Sequence, residues 1–261
     1  MKVLMRVLLF LFAILVTFLI VSSAIAGTYG EKFCGLEDFY CLQISKTKVK
    51  INKESVNIYI IENLETGETK EFLDKPFWEE LFSDENEREI VQKLNRMNIN
   101  PGNSDTIAVP RDMQGKDFMD FSPFDNEMKD TKKQVIYDPE FLAWGAYENG
   151  KLVRWGPGSA GKSYCKDTKR SCRTIVGEFK VIRKKDKDAR SSKYPKGCRG
   201  SKCAPMPYFV LFHKAGYGFH AGSLPGKHAS HGCIRVFYED AKWLNEVFAE
   251  KGTKVIVKTY G

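Results

Sequence analysis

The sequence predicts a mainly β module carrying one or two helices, preceded by a small α+β region. Three observations carry this prediction. Short runs of β-branched and aromatic residues recur from residue 135 to the end, one helical repeat interrupts them, and the charge balance reverses near residue 132. From Gly27 to Thr131 there are 13 Lys+Arg against 22 Asp+Glu, a net of −9, and from Lys132 to Gly261 there are 26 against 11, a net of +15. The expected division is residues 1–26 as a leader, 27–131 as an acidic accessory region with its linker, and 132–261 as the main module.

In the acidic region, Val56 to Ile61 reads as a strand turning at Thr66-Gly67. Ile90, Val91, Leu94 and Met97 fall on one helical face, with Ser83 and Asp84 as caps. Asn95 to Pro110 is faintly similar to the end of a LysM wall-binding repeat, and a spacer domain is the competing reading. The polar stretch from Phe118 to Lys133 is expected to be a linker. Beyond it, Val135-Ile136-Tyr137, Phe141 to Tyr147 and Leu152 to Trp155 read as strands, the last two joined through Glu148-Asn149-Gly150, a hairpin-type turn. Phe179 to Ile182, Tyr208 to Phe212 and Val255 to Val257 continue the pattern, and Ala241, Leu244, Val247 and Phe248 mark a helix that Gly252 ends.

The first 26 residues have the parts of a secretory signal. Met1-Lys2 and Arg6 precede an apolar run from Val7 to Val21, and Ser22-Ser23-Ala24-Ile25-Ala26 supplies a small-residue cleavage site. The alternative is an uncleaved membrane anchor, for which about 20 apolar residues suffice. Either way the remainder is expected to be exported to the periplasm or cell envelope. Seven cysteines agree with that. Cys34 and Cys41, Cys165 and Cys172, and Cys198 and Cys203 form sequence-local pairs and leave Cys233 over. Six cysteines allow 15 connectivities, so the oxidising compartment is the firmer inference and the pairing a hypothesis. The spacings contain no Cys-x-x-Cys, and no metal or other cofactor is expected. The basic half could fit nucleic acid, but an exported chain meets anionic wall peptides and membranes instead, so no nucleic-acid partner is expected.

Chemistry concentrates in Ser230-His231-Gly232-Cys233-Ile234-Arg235, preceded by His220 in Gly218-Phe219-His220-Ala221-Gly222. A thiol with an ordinary pKa of ~8.5 needs a neighbouring base, and backbone N–H groups near a glycine can face the oxyanion of a tetrahedral intermediate. This is the residue set of acyl transfer. A buried structural thiol beside surface histidines is the bland alternative.

The longer pattern resembles the catalytic signature of the L,D-transpeptidases, the YkuD-type cysteine enzymes of bacterial peptidoglycan. Gly158-Ser159-Ala160-Gly161, Thr174-Ile175-Val176-Gly177-Glu178-Phe179, Met206-Pro207-Tyr208 and Gly252-Thr253-Lys254-Val255 extend the likeness over about half the chain. Ile175 departs from the family's usual proline, and the gap from His220 to Ser230 is short. The resemblance, together with the strand count, implies a YkuD-like β-sandwich with the nucleophile on a loop at its edge. It further implies Cys233 as nucleophile and His220 as proton acceptor and donor. His231 and Gly232 would line the oxyanion site, Ser230 would support the loop, and Arg235 would orient it or a substrate carboxylate. Tyr208 is expected either in the donor cleft or in the core. His213 and His228 lie outside the pattern and read as surface or packing residues. The segment from Cys165 to Cys203, dense in Lys, Arg and Ser, reads as loops that serve as a lid or as exposed basic surface. The implied function is an exported transferase of cell-wall biogenesis and cell shape that acts on peptidoglycan stem peptides, with an amine or a lipoprotein as acceptor. An L,D-carboxypeptidase or endopeptidase on the same scaffold is the alternative, and a non-catalytic wall-binding protein is the alternative from another class.

Overall fold

The computed structural model describes residues 27–51, 54–73 and 78–261. The expected leader, residues 1–26, lies outside the described residues. Among those described, no helix is long and apolar enough to cross a membrane.

The acidic region builds an antiparallel sheet from β1 (Phe39–Ile51), β2 (Glu54–Asn63), β3 (Thr69–Leu73) and β4 (Thr106–Pro110), in the order β3-β2-β1-β4. A short helix α1 (Trp78–Leu81) and the longer α2 (Glu85–Asn95) cover it. α2 begins where Asp84 accepts the Glu87 N–H at 2.9 Å, so Asp84 rather than Ser83 is the cap. Val91 of α2, Met97 beyond it and Trp78 of α1 pack on Ile44, Ile61, Ile107 and Val109 of the sheet. Full burial of such side chains stabilises by about 1.5–3 kcal/mol each. α2 ends at Arg96, which adopts the left-handed conformation at φ 59°. The Asn95–Pro110 segment thus ends α2 and supplies β4, the strand that pairs with β1.

The main module is mostly β with few helices. Its five-stranded sheet runs β7-β6-β5-β13-β8, made of β5 (Gln134–Asp138), β6 (Ala143–Glu148), β7 (Lys151–Pro157), β8 (Gly177–Lys180) and, late in the chain, Lys254–Val257 as β13. The second sheet runs β12-β11-β10-β9, from β9 (Arg183–Lys184), β10 (Val210–Leu211), β11 (Gly218–Ala221) and β12 (Ile234–Val236). Both sheets feed one core. Val135, Tyr137, Trp144 and Val255 come from the first, Val210, Phe219, Ile234 and Val236 from the second. Ala241 of α3 (Tyr238–Trp243) and Leu244 and Phe248 of the following π-helical turn join them. In that turn the Ala249 N–H reaches back to Leu244 O, which shifts the helical phase and leaves Val247 65% exposed, off the face its spacing predicts.

The polar segment expected to be a linker is packed down instead. Trp155 Nε1 donates to Phe118 O at 2.8 Å, the Tyr147 hydroxyl donates to Asp125 O at 2.7 Å, and Phe124 meets Phe141 edge-on. Its phenylalanines give it enough apolar surface to hold. Nearby, Lys93 of α2 is buried with Nζ 3.6 Å from Asp240 Oδ1, and Arg154 of β7 binds the same carboxylate at 2.8 Å. An acidic-region cation and a main-module carboxylate therefore meet away from water.

Candidate active site

The parallel pair β11–β12 sets His220 opposite Arg235 and brings Cys233 to the start of β12. The loop between the strands is held by the early segment Ser159–Gly161. Ser159 exchanges backbone hydrogen bonds with Arg235 at 2.8 and 3.0 Å, and its hydroxyl donates to Lys227 O and accepts the Ala229 N–H. Ala160 O accepts the Ala229 and Ser230 N–H groups. The Gly161 N–H donates to the Thr174 hydroxyl at 3.0 Å, and a Cβ on Gly161 would lie 1.7 Å from Cys172 O, so no larger residue fits there.

At the tip, Ser230 Oγ accepts the Gly232 N–H at 3.0 Å and donates to Cys233 O. Gly232 sits at φ 136°, a conformation that glycine adopts without strain. Thr174 Oγ1 donates to Gly232 O at 2.7 Å. Because the peptide is planar and trans, fixing that carbonyl directs the Cys233 N–H the opposite way.

Cys233 is the free cysteine, since Cys34–Cys41, Cys165–Cys172 and Cys198–Cys203 are disulfides. Its thiol donates to Gly216 O at 3.5 Å and packs against Ala189, Phe209 and Leu211. Burial pushes it up to about 11, against the pull of the Gly218 backbone and the Arg235 and Lys193 charges. His220 is 7% exposed, and burial takes its imidazole down to about 4, with the Ala221 carbonyl opposing and the Arg235 charge assisting. Its Nδ1 lies 2.7 Å from Ala221 O. A carbonyl only accepts, so Nδ1 carries the proton and Nε2 keeps its lone pair. Among the described residues no hydrogen bond joins Cys233 to His220; the thiol proton rests on Gly216 O.

The other sequence candidates divide. Arg235 is half-buried, reaches Ser223 O at 3.5 Å, and lays its stem where a Cβ on Gly222 would stand, 3.0 Å from Cγ. His231 turns its ring to Asp167, with Nε2 2.9 Å from Oδ2, and meets the Tyr194 ring at a tilt. Tyr208 is core, 7% exposed and edge-on to Tyr238; that neighbour's hydrogen bond, with burial, raises its phenol to about 12. Cys165, Asp167 and His231 bring potential ligand atoms within 4.8 Å of one another, but the Cys165 sulfur is bonded to Cys172 and has no thiolate to offer a metal. His213 packs on Phe179 and Tyr217, and His228 on Tyr260.

A cleft of about 440 Å³ opens between the loop closed by Cys165–Cys172 and the segment at residues 193–196, walled by Asp167, Thr168, Lys169, Arg170, Lys193, Tyr194 and Lys196. The residues that sequence reasoning left without a role are Thr174, Ser159, Asp167 and the Ala221 carbonyl. Thr174 and Ser159 do stand within the motif segments; a main-chain carbonyl leaves no sequence signal.

The chain has no match among curated proteins. Among solved structures it is similar to an L,D-transpeptidase from Xylanimonas cellulosilytica, with 23% identity over 65% of this chain and 77% of that one and a TM-score of 0.44. It is likewise similar to one from Stackebrandtia nassauensis, with 24% identity over 54% and 61% and a TM-score of 0.41. The family model of the YkuD L,D-transpeptidase catalytic domain matches residues 132–257. Residues 132–257 are thus identified as a YkuD-type L,D-transpeptidase catalytic domain.

Proposed function

We propose that this is an exported enzyme that transfers peptidoglycan stem peptides through a thioester on Cys233. The observation that carries the reading is His220, buried and neutral on the strand beside the nucleophile, its Nδ1–H spent on Ala221 O and its Nε2 left as a base. Cys233 Sγ attacks the carbonyl carbon of the residue preceding a terminal D-alanine, and the thiol proton passes to His220 Nε2. The Cys233 N–H, aimed by the Thr174–Gly232 bond, is the donor we assign to the developing oxyanion. The amide C–N bond then breaks, His220 protonates the departing D-alanine amine, and a thioester remains. An acceptor amine attacks that thioester and gives its proton to His220, which returns it to the leaving thiolate.

With the thiol raised to about 11 and the imidazole lowered to about 4, the resting pair is neutral. Proton transfer therefore accompanies attack rather than preceding it. The thiol must first leave Gly216 O for His220, a rearrangement common where catalytic hydrogen bonds tighten only with substrate bound. The basic cleft, whose wall residue Lys193 also acts by its charge on the Cys233 thiol, supports binding of a stem that carries carboxylates.

Cys233 is also partly open to solvent, which favours a second reading in which water is the acceptor and the product a trimmed tripeptide. The test supplies a tetrapeptide donor with excess amine acceptor and follows products by mass spectrometry. Cross-linked dimer supports transfer; tripeptide alone at every acceptor concentration moves the assignment to an L,D-carboxypeptidase.

A further inference from the structure

Among the described residues, the acidic region meets the loop that follows His220. After α2, the left-handed Arg96 turns the chain toward residues 222–226 of the loop that follows His220. Arg96 is a buried pivot, 2% exposed, with Nε donating to Phe141 O at 2.9 Å and its guanidinium carbon 4.4 Å from the Tyr29 ring centre and 4.9 Å from that of Trp155. Its carbonyl accepts the Gly226 N–H at 3.1 Å, and the Tyr29 N–H donates to Gly226 O at 2.9 Å. Asn98 then acts as a short ladder. Its backbone N–H donates to Leu224 O at 3.2 Å, its Oδ1 accepts the Leu224 N–H at 2.8 Å, and its Nδ2 donates to Gly222 O at 2.9 Å.

Gly222 directly follows Ala221, whose carbonyl fixes the imidazole. The Gly222 N–H is held by Val236 O at 3.1 Å, its C=O by Asn98, and Arg235 covers its α-carbon. Both peptide planes at Gly222 are thereby set, and the direction of Ala221 O follows. We infer that Asn98 is a positioning residue for His220: its carboxamide, supplied by the acidic region, holds the backbone that keeps Nδ1 protonated and Nε2 free. The inference rests on reading His220 as the base, and it gives the acidic region a task in the reaction.

A docking contact without this role would alter stability alone, so the test reads the imidazole itself. Long-range ¹H–¹⁵N spectra of the full mature chain, with the His220 signal identified by its loss in His220→Gln, report which nitrogen is protonated. The wild type is expected as the Nδ1–H tautomer. Asn98→Ala is expected to show a mixture with Nε2–H, and a kcat about tenfold lower with KM nearly unchanged, because small misplacements of a catalytic group cost rate rather than binding. Asn98→Asp keeps the acceptor for Leu224 and loses the donor to Gly222, so it is expected to fold and to show the same tautomer change in smaller measure. Lys93→Met, which removes a different contact between the two regions, is expected to lower thermal stability with the wild-type tautomer and kcat. A wild-type tautomer in both Asn98 variants overturns the inference, whatever happens to stability. Should the wild type prove inactive on stem peptides, the spectra still decide the positioning claim, and only the functional reading falls.

Discussion

The Thr174 hydroxyl donates to the Gly232 carbonyl at 2.7 Å, one residue before Cys233. It also accepts the Gly161 N–H, so one buried oxygen joins the early Ser159–Gly161 segment to the loop that carries Cys233. Thr174→Val keeps the shape and removes both bonds. Leaving those buried groups unpaired costs about 1–3 kcal/mol each. The expected outcome is a lower melting temperature and, because the Cys233 N–H loses its aim, a kcat reduced by about tenfold or more. Thr174→Ser should restore most of both. Thermal melts beside steady-state kinetics check this, and wild-type kcat in the valine variant would remove the oxyanion assignment.

Thiol ionisation gives a prediction free of substrate. With Cys233 raised to about 11, its alkylation by iodoacetamide should climb roughly tenfold per pH unit from pH 7 to pH 10 without levelling. A plateau below pH 8 would mean a thiolate already formed at rest, and would replace concerted proton transfer with a preformed ion pair.

Acid should weaken the fold through the same histidine. His220 binds a proton near pH 4 when folded and near 6.5 when unfolded, so between those values the unfolded chain holds more protons. Its contribution to stability is complete above about pH 6.5 and falls as pH drops toward 4, by up to about 1.4 kcal/mol per pH unit. His228, lowered to about 4 by burial, acts in the same direction. Urea melts from pH 7 to pH 4 should give a shallower pH dependence for His220→Gln than for the wild type; equal slopes would place the imidazole in a better hydrated setting.

Much of this molecule was legible in the sequence, and the parts that were not have physical causes. β5, β7 and β13 carry runs such as Val135-Ile136-Tyr137 that declare strands. β11 and β12, which hold the site, are four and three residues long, and Gly-Phe-His-Ala and Ile-Arg-Val show no alternation; their pairing comes from tertiary contacts. β1 was missed because lysines and polar residues hide a strand with one wet face. Cys233 and His220 stand out in the sequence as candidates because acyl-transfer chemistry needs those side chains. The Ala221 carbonyl and the Asn98 clamp were not, since backbone geometry and contacts across more than 120 residues leave no local pattern.

An acyl group carried on Cys233 is the central expectation. Intact-mass spectrometry of the protein, quenched in acid after seconds with a tetrapeptide donor, should show a mass increase equal to the donor less D-alanine, located on the peptide containing Cys233. Cys233→Ala should show none and release no D-alanine while melting like the wild type, and a carbapenem should leave its own adduct on the same thiol. D-alanine release by Cys233→Ala at a rate near that of wild type would contradict the account.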